Sequence, residues 1–167
     1  LVDESRFSFS SKVPRLVVDG HINQNIETIQ SCKPDFIYSF GWQQMYGRKL
    51  LETCPVIGIH ESLLPEGAGA VPIANAILHN RPRTGVSLFW LDGGMDTGPL
   101  IGQLQGLLDP RTANATDLYF EAMELERSLL RMFVPEINKG TAPRICQDFS
   151  KRTVYEKVEW DKWPKET

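Results

Sequence analysis

Two short apolar runs joined through a helical stretch constrain this chain more than any other feature. Asp35–Phe40 reads as a buried strand closed by Gly41, and Val56–Ile59 as a second strand entered through Pro55. Between them, Tyr46–Thr53 has helical character. Two apolar strands connected by a helical crossover pair in parallel, because a tight hairpin cannot return the chain in the same direction; the expected class is therefore a layered α/β domain. Thr84–Leu91 and Leu100–Leu107 add strand character, and Arg15–Val18 is a further short apolar run. The eight residues Asp92–Pro99 hold three glycines, which makes a loop long enough to build a site.

Helical periodicity fills the intervals. Ile26 and Ile29 mark a short helix within Asn23–Cys32, ended by Lys33-Pro34. Pro72 suits the first turn of a helix reaching His79, with Ile73, Ala76 and Ile77 on one face. The clearest helix runs from about Ala115 to Val134, where Leu118, Ala122, Leu125, Leu129, Met132 and Phe133 recur at three and four residues. Asn114 is its expected N-cap, Asp117 favours its positive end, and Asn138-Lys-Gly140 ends the element.

Composition narrows the partners. A chain of 167 residues holds one domain with a sizeable core. A net charge of −3 gives no electrostatic reason to expect nucleic acid or an anionic membrane as a partner. Cys32, Cys54 and Cys146 are widely spaced without a C-x-x-C pair, which argues against a disulfide framework or a metal site and fits a reducing cytoplasm. No apolar run approaches the ~20 residues needed to span a bilayer.

Three histidines limit the search for an acid or base near neutral pH. His21 and His79 fall in expected surface turns, whereas His60 ends a strand, the position at which parallel α/β sheets bind ligands. Asp96 also follows a strand, among glycines that permit close backbone approach. A carboxylate beside an imidazole fixes its tautomer and suits proton transfer in acyl chemistry. The alternatives are a histidine bonded to a backbone carbonyl and an aspartate that merely forms its turn.

The stretches Gly58–Pro65 (GIHESLLP), Gly69–Ile73 (GAVPI), Thr84–Phe89 (TGVSLF) and Asp92–Gln103 (DGGMDTGPLIGQ) together resemble the catalytic core of the folate-dependent formyltransferases, in order and in spacing. That family includes methionyl-tRNA formyltransferase, glycinamide ribonucleotide transformylase and the sugar-nucleotide N-formyltransferases. The resemblance runs from about Pro14 to Trp160. It implies a three-layer α/β domain over 14–160 with a mainly parallel, Rossmann-like sheet, a tail or loop at 1–13 and a tail at 161–167. The strand, helix and strand with which relatives begin have no counterpart before Pro14.

By resemblance, His60 and Asp96 surround the formyl group of 10-formyltetrahydrofolate while an acceptor amine attacks it. The pterin is expected against Gln44, Met45 and Tyr46 on one side and Asp92, Gly93, Gly94 and Met95 on the other, mostly through backbone groups. Trp42 is expected to pack rather than stack. The family's Asn falls at Gly58, and losing one oxyanion donor costs ~2.7–4 kcal/mol of transition-state stabilisation. Asn75 is the candidate replacement, against an ordinary helix-surface reading. Ala68 stands where relatives often carry Arg, and Arg81, Arg83 and Lys33 are not assigned in its place. The tail Lys151–Trp160 resembles the sugar-nucleotide and tRNA enzymes more than the purine enzyme, which together with the mild acidity points to an amino-sugar nucleotide as acceptor. A hydrolase releasing formate and a non-catalytic folate-binding module are the alternatives, and homodimerisation is left open.

Overall fold

The computed structural model describes residues 20–42 and 44–156. The expected tails, the Arg15–Val18 run and Trp160 lie outside the described residues. In chain order the elements are a 3-10 turn at Ile22–Gln24, α1 (Ile26–Ser31), β1 (Ile37–Ser39), α2 (Arg48–Leu51), β2 (Val56–His60), β3 (Ala68–Gly69), α3 (Pro72–Leu78), β4 (Gly85–Trp90), β5 (Leu100–Gln105), α4 (Ala115–Asn138), a 3-10 turn at Phe149–Lys151, and β6 (Val154–Tyr155).

The crossover reading holds: β1 and β2 are parallel, in the register Ile37 to Val56 through Ser39 to Gly58. The α/β class holds with it. In the four-stranded sheet, ordered β1-β2-β4-β5, the β2–β4 and β4–β5 pairs are antiparallel, so the sheet formed by the described strands is mixed. After α3 the chain returns as β4, antiparallel to β2, and the eight-residue loop then turns it back into β5. A separate parallel pair joins β3 to β6.

All six residues of β4 are buried, in keeping with its mostly apolar sequence, which only Ser87 interrupts with a polar side chain. Val86, Leu88 and Trp90 join Ile57, Ile101, Ala122, Leu129 and Ile137 in the core under α4. The alternate residue Phe89 packs with Leu64, Ala68 and Leu100 in a second cluster. Because strand side chains alternate, this second face of β2 and β4 also carries Gly58, His60 and Ser87, with His60 opposite Ser87 and Ser87 opposite Gln103. The site therefore lies on the sheet face away from α4.

The long helix starts as expected, with Asn114 accepting a 2.8 Å hydrogen bond from the Asp117 backbone N–H. It ends later than expected. Pro135 lies inside it, and the helix continues to Asn138 because Ile137, fully buried in the core, gains more from packing than the missing Pro N–H costs in the last turn. Gly140, at φ 70°, then closes it in a Schellman arrangement, with Gly140 N–H donating to Ile137 O and Thr141 N–H to Glu136 O.

Glu126 on α4 is half-buried, and burial, helped by the nearby Glu61 carboxylate, pushes its carboxyl up to about 7. A carboxyl raised above its ordinary 4.5 contributes stability that is complete below that value and lost as pH rises through about 7. Glu126→Gln is expected to stabilise the protein by about 1 kcal/mol at about pH 8, after allowance for solvent screening of a half-exposed group, and to change nothing at about pH 4. Urea melts of both proteins at the two pH values check this.

Candidate active site

A buried polar row sets the loop that follows His60. Ser87 Oγ donates to Ser62 O at 2.5 Å and accepts from Leu64 N–H at 3.0 Å and from Gln103 Nε2 at 2.8 Å. Gln103 Nε2 also donates to Leu64 O. These bonds fold residues 62–67 back over the sheet, through a cis Leu64–Pro65 peptide. His60, only 8% exposed, thereby meets a carbonyl of its own loop: Nε2 lies 2.9 Å from Gly67 O.

The backbone-carbonyl reading of His60 is thus present in the structure, and it coexists with the carboxylate contact. Asp96 Oδ2 lies 4.0 Å from His60 Nε2 and accepts a 2.7 Å hydrogen bond from Gly69 N–H. Both side chains are largely shielded, at 10% and 19% exposure, so a charge on one is felt by the other more strongly than in water. The Gly69–Asp96 bond forms because β3 pairs on its other side: Ala68 N–H donates to Thr153 O and Ala70 N–H to Tyr155 O, which leaves the intervening Gly69 N–H facing the Asp96 loop. Gly69 is required there. At φ 97° any Cβ would collide with the Tyr155 carbonyl.

Asp96 itself adopts a left-handed conformation, φ 54°, which aspartate tolerates better than most residues. Its loop is held by Gln147 Nε2, donating to Asp96 O at 3.0 Å and Gly98 O at 2.7 Å, and by Arg152, donating to Met95 O at 2.5 Å and Asp96 O at 3.4 Å. Within the loop, Asp92 Oδ1 accepts from Gly94 N–H and Thr97 Oγ1.

Two sequence readings need correction. Asn75 is 1% exposed rather than on the helix surface, and its amide donates to Ala70 O at 2.7 Å and Val71 O at 3.3 Å. Both donor hydrogens are thereby committed to the turn entering α3, where Val71 has φ 47°, and neither faces the site as a spare oxyanion donor. Trp42 is 43% exposed, so it does not pack into the core. At Gly58, a Cβ would run into Leu91 Cδ1 and come within 3.0 Å of the Phe89 ring. The glycine makes room for apolar side chains, and the position holds no vacant slot for an amide.

The expected pterin residues fall in two segments. Gln44 Oε1 accepts from Ile22 N–H at 2.7 Å and Met45 O from Asn23 Nδ2 at 3.0 Å, which ties this segment to the turn before α1. Tyr46 is half-buried, its hydroxyl pushed up by burial and partly offset by a bond with Ser39. Across from it, Gly93 has φ 91°, and a Cβ there would touch Leu51 of α2 at 3.4 Å, so the Asp92–Met95 loop lies against the helix that follows the first segment. His21 caps the first 3-10 turn, accepting from Asn23 N–H, and His79 stacks on Tyr155 with ring centroids 4.7 Å apart. Arg81 bonds Tyr155 Oη at 2.8 Å and Thr153 Oγ1 at 3.0 Å, and Arg83 pairs with Glu66 at 3.3 Å.

Residues 14–134 match the family model described as Formyl transferase. The chain belongs to the formyl transferase family. Its relatives include methionyl-tRNA formyltransferases from Methylacidiphilum infernorum, 38% identical over 74% of this chain and 39% of that protein, and from Chloroflexus aggregans, 36% identical over 77% and 42%. The chain thus spans about two fifths of the length of these relatives. Among solved structures, the formyltransferase PseJ from Anoxybacillus kamchatkensis, in complex with UDP-4,6-dideoxy-4-formamido-L-AltNAc and tetrahydrofolate, superposes with a TM-score of 0.68 at 25% identity, over 77% of this chain and 68% of that one. A likely sugar N-formyltransferase from Mycobacterium tuberculosis shares the fold with a TM-score of 0.74 at 20% identity, over 89% and 61%.

Sequence reasoning on this member of the formyl transferase family missed Ser87, Gln103, Gln147 and Arg152. Ser87 had a local signal, a hydroxyl inside an otherwise apolar strand, and Gln103 closes the last resembling stretch. Gln147 and Arg152 act across about fifty residues, and nothing adjacent to them in the sequence marks it.

Proposed function

We propose that this chain carries the chemistry of formyl transfer from 10-formyltetrahydrofolate to a primary amine, with His60 and Asp96 as its catalytic residues. The observation that carries the reading is their juxtaposition at 4.0 Å, with the Asp96 carboxylate steered by Gly69 N–H. The acceptor nitrogen attacks the formyl carbon, a C–N bond forms, and the carbonyl oxygen gains charge. Protonated His60 offsets that charge, and Asp96 stabilises the imidazolium. Collapse breaks the bond to N10 of the folate, which takes up a proton as the amine gives one up, so no net proton is consumed.

With Gly58 closed by Leu91 and Phe89 and the Asn75 donors committed, this reading places more of the oxyanion stabilisation on His60 than an amide-bearing site would. Donor binding is supported by exposed large side chains in the two pterin segments and beside the first of them: Phe40, Trp42, Met45 and Met95 are 41%, 43%, 50% and 39% exposed. Exposed apolar surface of this kind fits a planar heterocycle.

For the acceptor we favour an amino-sugar nucleotide, on the solved relative that holds a formamido-sugar nucleotide beside tetrahydrofolate and on the acidic balance of the chain. Methionyl-tRNA is the second reading, favoured by the relatives at 36–38% identity. Both present an aliphatic amine, so the chemistry is shared. Incubation with 10-formyltetrahydrofolate and each acceptor, followed by mass spectrometry, decides between them. An N-formyl sugar supports the first, N-formylmethionyl-tRNA the second, and free formate or binding without turnover would replace transfer with hydrolysis or a folate-binding role.

A further inference from the structure

We propose that Gln147 and Arg152 are positioning residues, which set the catalytic distance between His60 and Asp96 by holding the backbone of the Asp96 loop. The inference rests on the formyl-transfer reading of those two residues.

The case begins with the bond between Gly69 N–H and the Asp96 carboxylate, 2.7 Å long. One C-terminal segment fixes both of its partners. On the Gly69 side, β6 pairs with β3 in the register Ala68 to Val154 and Gly69 to Tyr155, and Thr153 Oγ1 accepts from Gly67 N–H at 2.7 Å. Gly67 is also the residue whose carbonyl meets His60 Nε2. On the Asp96 side, Gln147 and Arg152 place their donors on the carbonyls of Met95, Asp96 and Gly98. The left-handed conformation of Asp96 turns its carbonyl toward these donors and its carboxylate toward Gly69.

The orientation of Gln147 shows which bonds dominate. The side chain is 8% exposed, both Nε2 hydrogens point at loop carbonyls, and Oε1 is buried with no partner among the described residues. An orphaned acceptor is costly, and flipping the amide to relieve it would face an oxygen toward two carbonyls. The amide is therefore committed to donating to this loop. Arg152 adds a second donor group, its planar fork spanning two successive carbonyls, a reach that a lysine ammonium lacks.

Gln147→Glu keeps the shape of the side chain and removes its N–H donors. It is expected to lower kcat by about 10- to 100-fold, because a small misplacement of a catalytic group costs up to about that much, with the KM for the folate donor unchanged within about twofold. A double-mutant cycle separates positioning from general structural damage. In the Asp96→Asn background the same Gln147→Glu change is expected to alter kcat by less than about twofold, since the group it positions is already disabled. Equal losses in both backgrounds, or no loss in either, would overturn the inference. If Asp96→Asn alone leaves turnover intact, the formyl-transfer reading of Asp96 fails, and the inference fails with it. If Asp96→Asn is impaired and Gln147→Glu is not, the positioning role alone falls.

Amide hydrogen exchange at Gly69 provides a measure independent of turnover and of complete loss of fold. Arg152→Lys is expected to speed exchange there several-fold while the β2 amides of Ile57 and Ile59 are unchanged. Unchanged exchange at Gly69, or equal acceleration throughout β2, counts against a localised hold on the loop.

Discussion

Replacing His60 with alanine is expected to lower formyl transfer by roughly 100- to 10,000-fold, the usual range for removing a positioned acid or base. The loss should fall on kcat, with the donor KM little changed. His60 lies on the sheet face that carries the polar row, whereas the expected pterin contacts lie in the segments around Met45 and Gly93. Asp96→Asn should cost less, because the amide oxygen can still accept from Gly69 N–H and only the charge facing the imidazole is removed. Steady-state kinetics on both variants, with thermal melts to confirm folding, check the order. An Asp96→Asn protein more impaired than His60→Ala would reverse the roles assigned to the two groups.

Gly98→Ala is expected to produce the largest loss of stability among single changes in the loop, about 3 kcal/mol, or a fall in Tm of about 6 to 12 °C. A Cβ at Gly98 would be driven into the carbonyl of Trp90, and that carbonyl belongs to the β4 backbone, which cannot yield as a side-chain end can. Trp90 is held on three sides: its N–H donates to Pro99 O at 2.9 Å, its indole Nε1 donates to Pro143 O at 2.8 Å, and Arg144 lies 4.1 Å above its ring. Gly140→Ala serves as the comparison. Its φ of 70° costs about 1 kcal/mol, and nothing lies within 4 Å of the added methyl. Calorimetric melts of the two variants therefore separate backbone collision from conformational preference alone.

The fold was legible where periodicity and local chemistry agree. The β1–α2–β2 crossover, the buried β4 run and the Asn114 cap all follow from short windows of residues, because burial on both faces and capping are local demands. The last turn of α4, beyond Val134, did not follow from periodicity. A proline argues for a helix end locally, and the burial of Ile137, a tertiary fact, overrode it. Strand direction at β4 was not legible either, since strand character alone does not fix whether a strand pairs parallel or antiparallel.

The site divides in the same way. His60 and Asp96 each stand at a strand end among turn residues, and resemblance joined them. The atoms that bring them together are Gly69 N–H and the donors of Gln147 and Arg152, contributed by segments far apart in sequence. Asn75 illustrates the reverse error. As an amide near the glycine loop it suggested an oxyanion donor, but the turn at Ala70 and Val71 needs both of its hydrogens.

The central claim is that this site moves a formyl group, and transfer of an isotope-labelled formyl from 10-formyltetrahydrofolate tests it most directly. The account predicts label in an N-formylated amine product with the wild-type chain, and almost none with His60→Ala under the same conditions. Label appearing only as free formate, or passing to the amine equally well without His60, would contradict it.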